Sequence, residues 1–174
     1  MHGLQNGFHQ FVIYFYWKRH LQRLEQIVDV ALMTQDRDGY FGSTPGGEGC
    51  HDYDIIHTLV MAYRLTEYRQ KDIEACFNRA AMALRTNQNS DGGFCQSRKQ
   101  ITGWSDMLRY TPVWFSGHHP YLWYYRARKT LGVLLRKEML IQTGWTRKGR
   151  SWIDSNLWDT WFRCLTLAEI ETII

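Results

Sequence analysis

The sequence predicts an all-α fold built from antiparallel helical hairpin repeats. Two observations carry that prediction. The first is a motif that recurs after 53 residues: Gln35-Asp36-Arg37-Asp38-Gly39-Tyr40-Phe41 returns as Gln88-Asn89-Ser90-Asp91-Gly92-Gly93-Phe94, a shared Gln-x-x-Asp-Gly-x-Phe. The second is the amphipathic stretch that each copy ends. Leu24, Ile27, Val28 and Ala31 precede the first copy at helical spacing, and Phe77, Ala80, Ala81 and Leu84 precede the second. A degraded third copy starts at Gln142 (Gln142-Thr143-Gly144-Trp145), 54 residues after Gln88, behind Leu131, Leu134 and Leu135. A fixed period of this length is the signature of a repeat architecture, in which each helix pair must stack on a neighbour to bury its apolar face.

Residues 1–34 read as a helical hairpin, with one helix over Phe8–Trp17 and the next over Leu21–Thr34. The Asp-Gly of the first motif copy stops the second helix, because glycine permits the left-handed turn that follows a helix end. A glycine-rich loop, Ser43 to Gly49, comes next. It lacks the Gly-x-x-x-x-Gly-Lys-Ser/Thr of a phosphate loop and has no strand before it, so it reads as a turn of the chain. Helices follow over Asp52–Thr66, begun by an acidic residue at the positive helix end, and over Asp72–Thr86, apolar on one face. Pro112, Gly117 and Pro120 interrupt the region from Gln96 to Pro120. Helix resumes over Tyr121–Glu138, and a last helix spans Ser155–Ile173 with Leu157, Trp161, Leu165 and Ala168 on one face.

At 174 residues the chain fits a single domain, residues 1–174, long enough to bury a core. Charged residues make up 22% and apolar residues 44%, which excludes a disordered chain. The net charge of +4 comes from scattered residues and not from a basic run alternating with aromatics, so nucleic-acid binding is not indicated. Cys50, Cys76, Cys95 and Cys164 are widely spaced without Cys-x-x-Cys, and Cys76 sits on an apolar stripe as a small hydrophobe. No disulfide framework is expected. The uncharged run Phe11–Trp17 is far too short for a membrane span, and no signal-peptide pattern opens the chain. The expectation is a cytoplasmic protein.

The repeated turn resembles that of the alpha-alpha toroid superfamily of terpenoid cyclases and protein prenyltransferase beta subunits. There an outer helix is followed by a Gln-x-x-Asp-Gly-Gly-Phe/Trp turn and an inner helix that starts near Asp, Ser or Thr. Gln88–Phe94 and Gln35–Phe41 match the turn. Asp52-Tyr53-Asp54-Ile55-Ile56-His57-Thr58-Leu59 matches the inner-helix start, with Asp154 to Trp161 as its counterpart and Asp159-Thr160 set against His57-Thr58. The resemblance implies a partial α/α toroid, in which Gln35, Gln88, Phe41 and Phe94 hold helix pairs together. It also implies an apolar, isoprenoid-type ligand in a helix-lined cavity.

The chain departs from the family in its chemistry. Asp52-Tyr53-Asp54-Ile55 lacks the last Asp of Asp-x-Asp-Asp, Asp-Asp-x-x-Asp is absent, and Cys95 has no Asp-x-Cys around it. No cofactor is implied. The chain's three or four helix pairs fall short of a full ring, which suggests a second copy or a partner chain to complete it.

Two clusters could carry chemistry. Cys50, His51, Asp52, Asp54 and His57 crowd one helix start, with Asp54, His57 and Thr58 on one face. Three roles stand side by side. Asp54, tuned by Asp52 and oriented by His51 or His57, could be a general acid. Cys50, His51, Asp54 and His57 have metal-ligand chemistry, although neighbours across a helix start rarely converge on one ion. Asp52 or Asp54 could simply cap the helix. His118-His119 reads as a surface or packing pair.

The second cluster is a belt of rings from Trp104 through Tyr110 and Trp114 to Tyr125. Their faces could hold a developing carbocation, stack on sugar rings, or be core. A carbohydrate-active or sugar-binding α/α barrel, using Asp52, Asp54 and Asp159 as paired carboxylates with Trp stacking, is therefore the alternative function. A non-catalytic interaction module is the second.

Overall fold

The computed structural model describes residues 2–99, 101, 103–114, 120–135 and 152–174. Seven helices are found there: α1 (His2–Tyr16), α2 (Leu24–Thr34), α3 (Gly49–Leu65), α4 (Gln70–Arg85), α5 (Trp104–Trp114), α6 (Pro120–Leu134) and α7 (Leu157–Glu171). No β-strand occurs among the described residues, so the all-α expectation holds. The degraded motif copy at Gln142 and the His118-His119 pair lie outside the described residues.

The two motif copies fold into the same turn. In the first, the Gln35 side-chain amide donates to the Gly39 carbonyl at 3.1 Å, and in the second Gln88 donates to Gly92 at 3.1 Å. The backbone closes identically, Asp36 N–H to Tyr40 carbonyl and Asn89 N–H to Gly93 carbonyl, both at 2.8 Å. Gly39 and Gly92 stand at φ +94° and +84°, a region that residues with a Cβ rarely adopt. At Gly39 the closeness of the next helix is a second reason, since a Cβ would lie 2.6 Å from the Arg79 carbonyl oxygen.

Helices α2 and α4 run parallel. Asp29 meets Arg69 and Tyr68 at one end, while at the other Gln35 meets Cys76 and Arg79. Helices α3 and α7 are also parallel, with Gly49 against Asp159, His57 against Glu169, and Arg64 against Thr172. The core lies between these layers, where Val28, Phe41, Ile56, Leu59, Ile73 and Phe77 are shut from solvent. Rings and branched chains of this size each contribute roughly 1.5–3 kcal/mol on burial.

The helix that caps the second turn is not the next one in the chain. The Phe41 N–H donates to Asp52 of α3, eleven residues on, but the Phe94 N–H donates to Thr160 of α7. Between them the chain leaves at Cys95–Ser97 and returns at Trp152–Asn156. Its two ends are tied by a Cys95–Ser155 bridge and by Ser97 N–H to Trp152 carbonyl, 3.1 Å. Helices α5 and α6 belong to this excursion and pack on each other. Helix α6 returns to the first turn through buried Arg126, which donates to the Thr34 carbonyl at 2.9 Å.

Some element boundaries differ from the sequence expectation. Helix α3 begins at Gly49, three residues before Asp52, and its N-cap position is held by Glu48. Helix α5 runs through Pro112, where a break is expected. The proline lies in the last turn, so its missing N–H removes only one terminal bond. Pro120 opens α6, a position in which the missing N–H has no helical partner to lose.

Candidate functional site

The start of α3 is held by an enclosed loop. The glycine-rich segment does more than turn the chain: Ser43 to Gly49 is almost entirely buried and is bonded from several sides. Asn87 donates to the Gly46 carbonyl, Ser97 to the Pro45 carbonyl, and Ser43 to the Glu48 carboxylate at 2.6 Å. Glu48 also faces His51 Nδ1 at 2.8 Å. Burial by itself lowers the affinity of His51 for its proton. The Glu48 carboxylate, helped by Asp52 and Asp54, outweighs it and sets the imidazole above its usual range.

Asp52 lies at the centre of this arrangement. It does not cap its own helix: Oδ1 accepts the Phe41 N–H of the first turn at 2.9 Å, and Oδ2 faces Arg163 of α7 at 3.3 Å. Arg163 is 0% exposed and also donates to the Cys95 and Gln96 carbonyls, so one guanidinium joins α7, the second turn's exit and α3. Complete burial pushes the Asp52 carboxyl up to about 6, against the opposing pull of Arg163 and the Phe41 N–H. Asp159 is also buried. Its Oδ2 accepts from the Asn156 amide at 2.7 Å, while Asn156 caps α7 by accepting the Asp159 N–H.

Asp54 differs in kind. It is 5% exposed, and its carboxylate accepts no hydrogen bond from a described residue; the Thr58 hydroxyl donates to its backbone carbonyl instead. Burial raises this carboxyl to about 6, with His51, His9 and His57 pulling the other way. His57 lies on the neighbouring turn and is engaged with Glu169 of α7 at 2.9 Å. The structure therefore brings His51, Asp52, Asp54 and His57 into one region but divides their roles. Asp52 and Glu48 hold the fold, and Asp54 is left near imidazoles, its carboxylate without a hydrogen bond from a described residue. Among the described residues no set of three or more His, Cys, Asp or Glu is arranged around a common metal position.

From Tyr53, the neighbour of Asp54 on α3, runs a wall of rings that sequence reasoning missed. Phe8 of α1 meets Tyr53 and His57 edge-on at 5.8 and 5.5 Å. Tyr53 lies 5.5 Å from Phe162, and Phe162 lies 4.9 Å from both Trp158 and Trp161. Tyr53, His57, Trp158 and Phe162 are half-buried and Trp161 is exposed, so this face is built of rings without being sealed. The Trp158 Nε1–H is buried without an acceptor among the described residues. The available signal was the four-residue spacing of Tyr53 with His57 and of Trp158 with Phe162, which places each pair on one helix face.

The expected aromatic belt lies elsewhere. Trp104 is 61% exposed on α5, and Tyr110 lies under the Arg109 guanidinium at 6.0 Å. Among the described residues no ring contact joins them to α3. Trp114 ends α5, and nothing is described of its side chain. A cleft of about 930 Å³ lies at the other end of α3, between Phe15, Leu24, Met61 and Leu65, and does not reach Asp54.

Comparison of the chain with protein-family models, with curated proteins and with solved structures returned no match.

Proposed function

We propose that the ring-lined face of α3 and α7 holds an apolar, isoprenoid-type ligand, with Asp54 as the proton donor of a cyclase-like reaction. The observation that carries this reading is one buried carboxyl, raised to about 6 and without a hydrogen bond from a described residue, next to Tyr53 on α3, from which a run of rings leads through Phe162 to Trp158 and Trp161. A carboxyl in that range still carries its proton over a useful part of the mildly acidic region. Ring faces stabilise the positive charge that protonation of an alkene creates, by about 0.5–2 kcal/mol each. Tyr53 and His57 bind and shape the ligand, Asp54 donates the proton, and the His57–Glu169 pair holds the imidazole in place.

The duplicated turn and the parallel stacking of α2–α3 on α4–α7 support the resemblance to alpha-alpha toroids. On this reading the ring is partial and is completed by a second copy or a partner chain. Gln35 of the first turn reaches the Cys76 carbonyl of the next outer helix, whereas the matching Gln88 side chain is exposed and, among the described residues, bonds only within its own turn. The edge beside Gln88 is where a further helix pair stacks.

The carbohydrate reading has less to draw on. Paired carboxylates must face each other across an open groove, about 5–10 Å apart. Asp52 is enclosed between Phe41 and Arg163, and Asp159 is buried against Asn156.

The test uses farnesol as ligand. Tryptophan fluorescence of the wild-type protein is titrated with farnesol, and products are followed by gas chromatography. The expected result is saturable quenching that weakens about tenfold in Phe162→Ala. Asp54→Asn should keep binding and abolish any cyclised product. Absence of quenching by farnesol, or equal quenching by a soluble cello-oligosaccharide, overturns the reading.

A further inference from the structure

The cleft between the end of α1, the start of α2 and the end of α3 shares no residue with the ring wall. Its volume, about 930 Å³, suits a medium-sized organic ligand. Phe15, Leu21, Leu24, Met61 and Leu65 supply its apolar lining. Lys18, Arg19 and Arg23 also line it, with His20 and one carboxylate, Glu25. None of the three permanent cations forms an ion pair or side-chain hydrogen bond with a described residue.

An internal comparison shows what is missing. Arg23 precedes α2 and Arg69 precedes α4, and the two hold the same left-handed backbone, φ 60° ψ 33° and φ 54° ψ 30°. Neither side chain caps its helix. Arg69 is neutralised by Asp29 and Asp72, both at 2.7 Å. Arg23 occupies the same structural position with no carboxylate bound to it. The anion that balances Arg23, Arg19 and Lys18 is therefore not supplied by the described part of the chain.

We propose that this cleft is a binding site for a phosphate-bearing lipid. The phosphate rests on Lys18, Arg19 and Arg23, which can donate several charge-assisted hydrogen bonds to its oxygens. The hydrocarbon chain lies over Phe15, Leu24, Met61 and Leu65. The surroundings fit a lipid more closely than a free anion. The exposed side chains of Ile13, Tyr14 and Trp17 line an adjoining groove of about 360 Å³ together with Arg19. Aromatic rings next to basic residues are the side chains that settle at a lipid–water boundary. This site does not depend on the chemistry proposed for Asp54, because none of its residues belongs to that region.

The experiment is a calorimetric titration with three probes: dihexanoyl phosphatidic acid, dihexanoyl phosphatidylcholine and inorganic phosphate. It uses the wild type, the double variant R19E/R23E and L65D, all substituted at exposed positions. The expected result is binding of the phosphatidic acid, weakened about tenfold or more in R19E/R23E and again in L65D, with melting temperatures unchanged. Equal binding of the choline lipid shows that the cations do not select the head and overturns the proposal. Equal binding of inorganic phosphate shows an anion site without a lipid and overturns it too. Binding of phosphatidic acid that neither variant weakens places the ligand elsewhere and likewise overturns it.

Discussion

Asp52 and Thr160, 108 residues apart, are structural equivalents, since each accepts the backbone N–H of the aromatic residue that closes a motif turn, Phe41 at 2.9 Å and Phe94 at 2.8 Å. The equivalence fixes which helix belongs to which turn, and the two acceptors are unequal in what they support. Thr160 is a neutral hydroxyl that also donates to the Phe94 carbonyl at 3.5 Å, and its replacement by Val removes both neutral bonds, at a cost of about 1–2 kcal/mol. Asp52 also faces the buried Arg163 guanidinium. Asp52→Ala leaves that charge without its carboxylate and should cost about 3–5 kcal/mol. Asp52→Asn keeps an acceptor for the Phe41 N–H and should fall between the two. Urea denaturation of the three variants checks the order.

The buried acids set a pH dependence whose sign is unusual for carboxylates. Asp52 and Asp54 are both raised to about 6 from an unfolded value near 3.8. The folded chain therefore holds their protons more tightly than the unfolded chain between those limits. Their contribution to stability is greatest at low pH and is lost as pH rises from about 4 to about 6. His51 is raised too, and its contribution is likewise lost as pH climbs through its folded value. The melting temperature measured between pH 4 and 7.5 should carry a downward component with rising pH. Asp54→Asn should flatten that component between pH 4 and 6, since the amide has no proton to lose. An unchanged profile in Asp54→Asn would refute the raised carboxyl.

The turns themselves were legible in the sequence because their geometry demands particular residues. Gly39 and Gly92 need positive φ, Gln35 and Gln88 bond to carbonyls four residues ahead, and Phe41 and Phe94 must be buried. The apolar stripes of α2 and α4 were legible for the same local reason, with Val28, Ala31, Phe77 and Ala80 all in the core. What escaped were partnerships across long stretches of chain. Setting Asp159-Thr160 against His57-Thr58 misjudged the register, because the bonding places Thr160 at the position of Asp52. Local pattern cannot reveal that α7 returns to a turn 66 residues upstream. Arg163 gave no sign of being buried, since the carbonyls it satisfies lie 67 and 68 residues away. Of the candidate site, Asp54 was found from its neighbours in sequence. The ring wall that starts at its neighbour Tyr53 draws on three helices, and only the folded chain assembles it.

The four cysteines should separate by reactivity. Burial pushes the Cys50 thiol up to about 12, with the carboxylates of Glu48 and Asp54 adding to the shift, and burial alone raises Cys76 to about 12. Cys95 is also raised by burial, whereas Cys164 lies exposed on α7. The thiolate is the species that reacts, so iodoacetamide at pH 7.5 should label Cys164 well before the other three. Peptide mass spectrometry over a time course reads this directly. Early labelling of Cys76 would mean that the core around α4 opens more readily than its packing implies.

The two motif glutamines provide the last comparison, since they share a turn and differ in surroundings. Gln35 is buried, donates to the Gly39 and Cys76 carbonyls, and accepts from Arg79 Nε and Nη2 at 3.1 and 2.6 Å. Gln35→Ala strands a buried carbonyl and removes the acceptor of a guanidinium, so a loss of about 2–4 kcal/mol is expected. Gln88 has the same bond to its own turn but is exposed, and water can replace what Gln88→Ala removes. Its loss should stay within about 0.5 kcal/mol in the isolated chain. The difference should narrow if a further helix pair stacks beside Gln88, because that amide then gains a buried partner like the one Gln35 has in α4. Comparing the two variants by denaturation at low and high protein concentration makes this visible: a Gln88→Ala penalty that grows with concentration marks self-association through this edge. A penalty that stays small at every concentration excludes a second copy as the occupant.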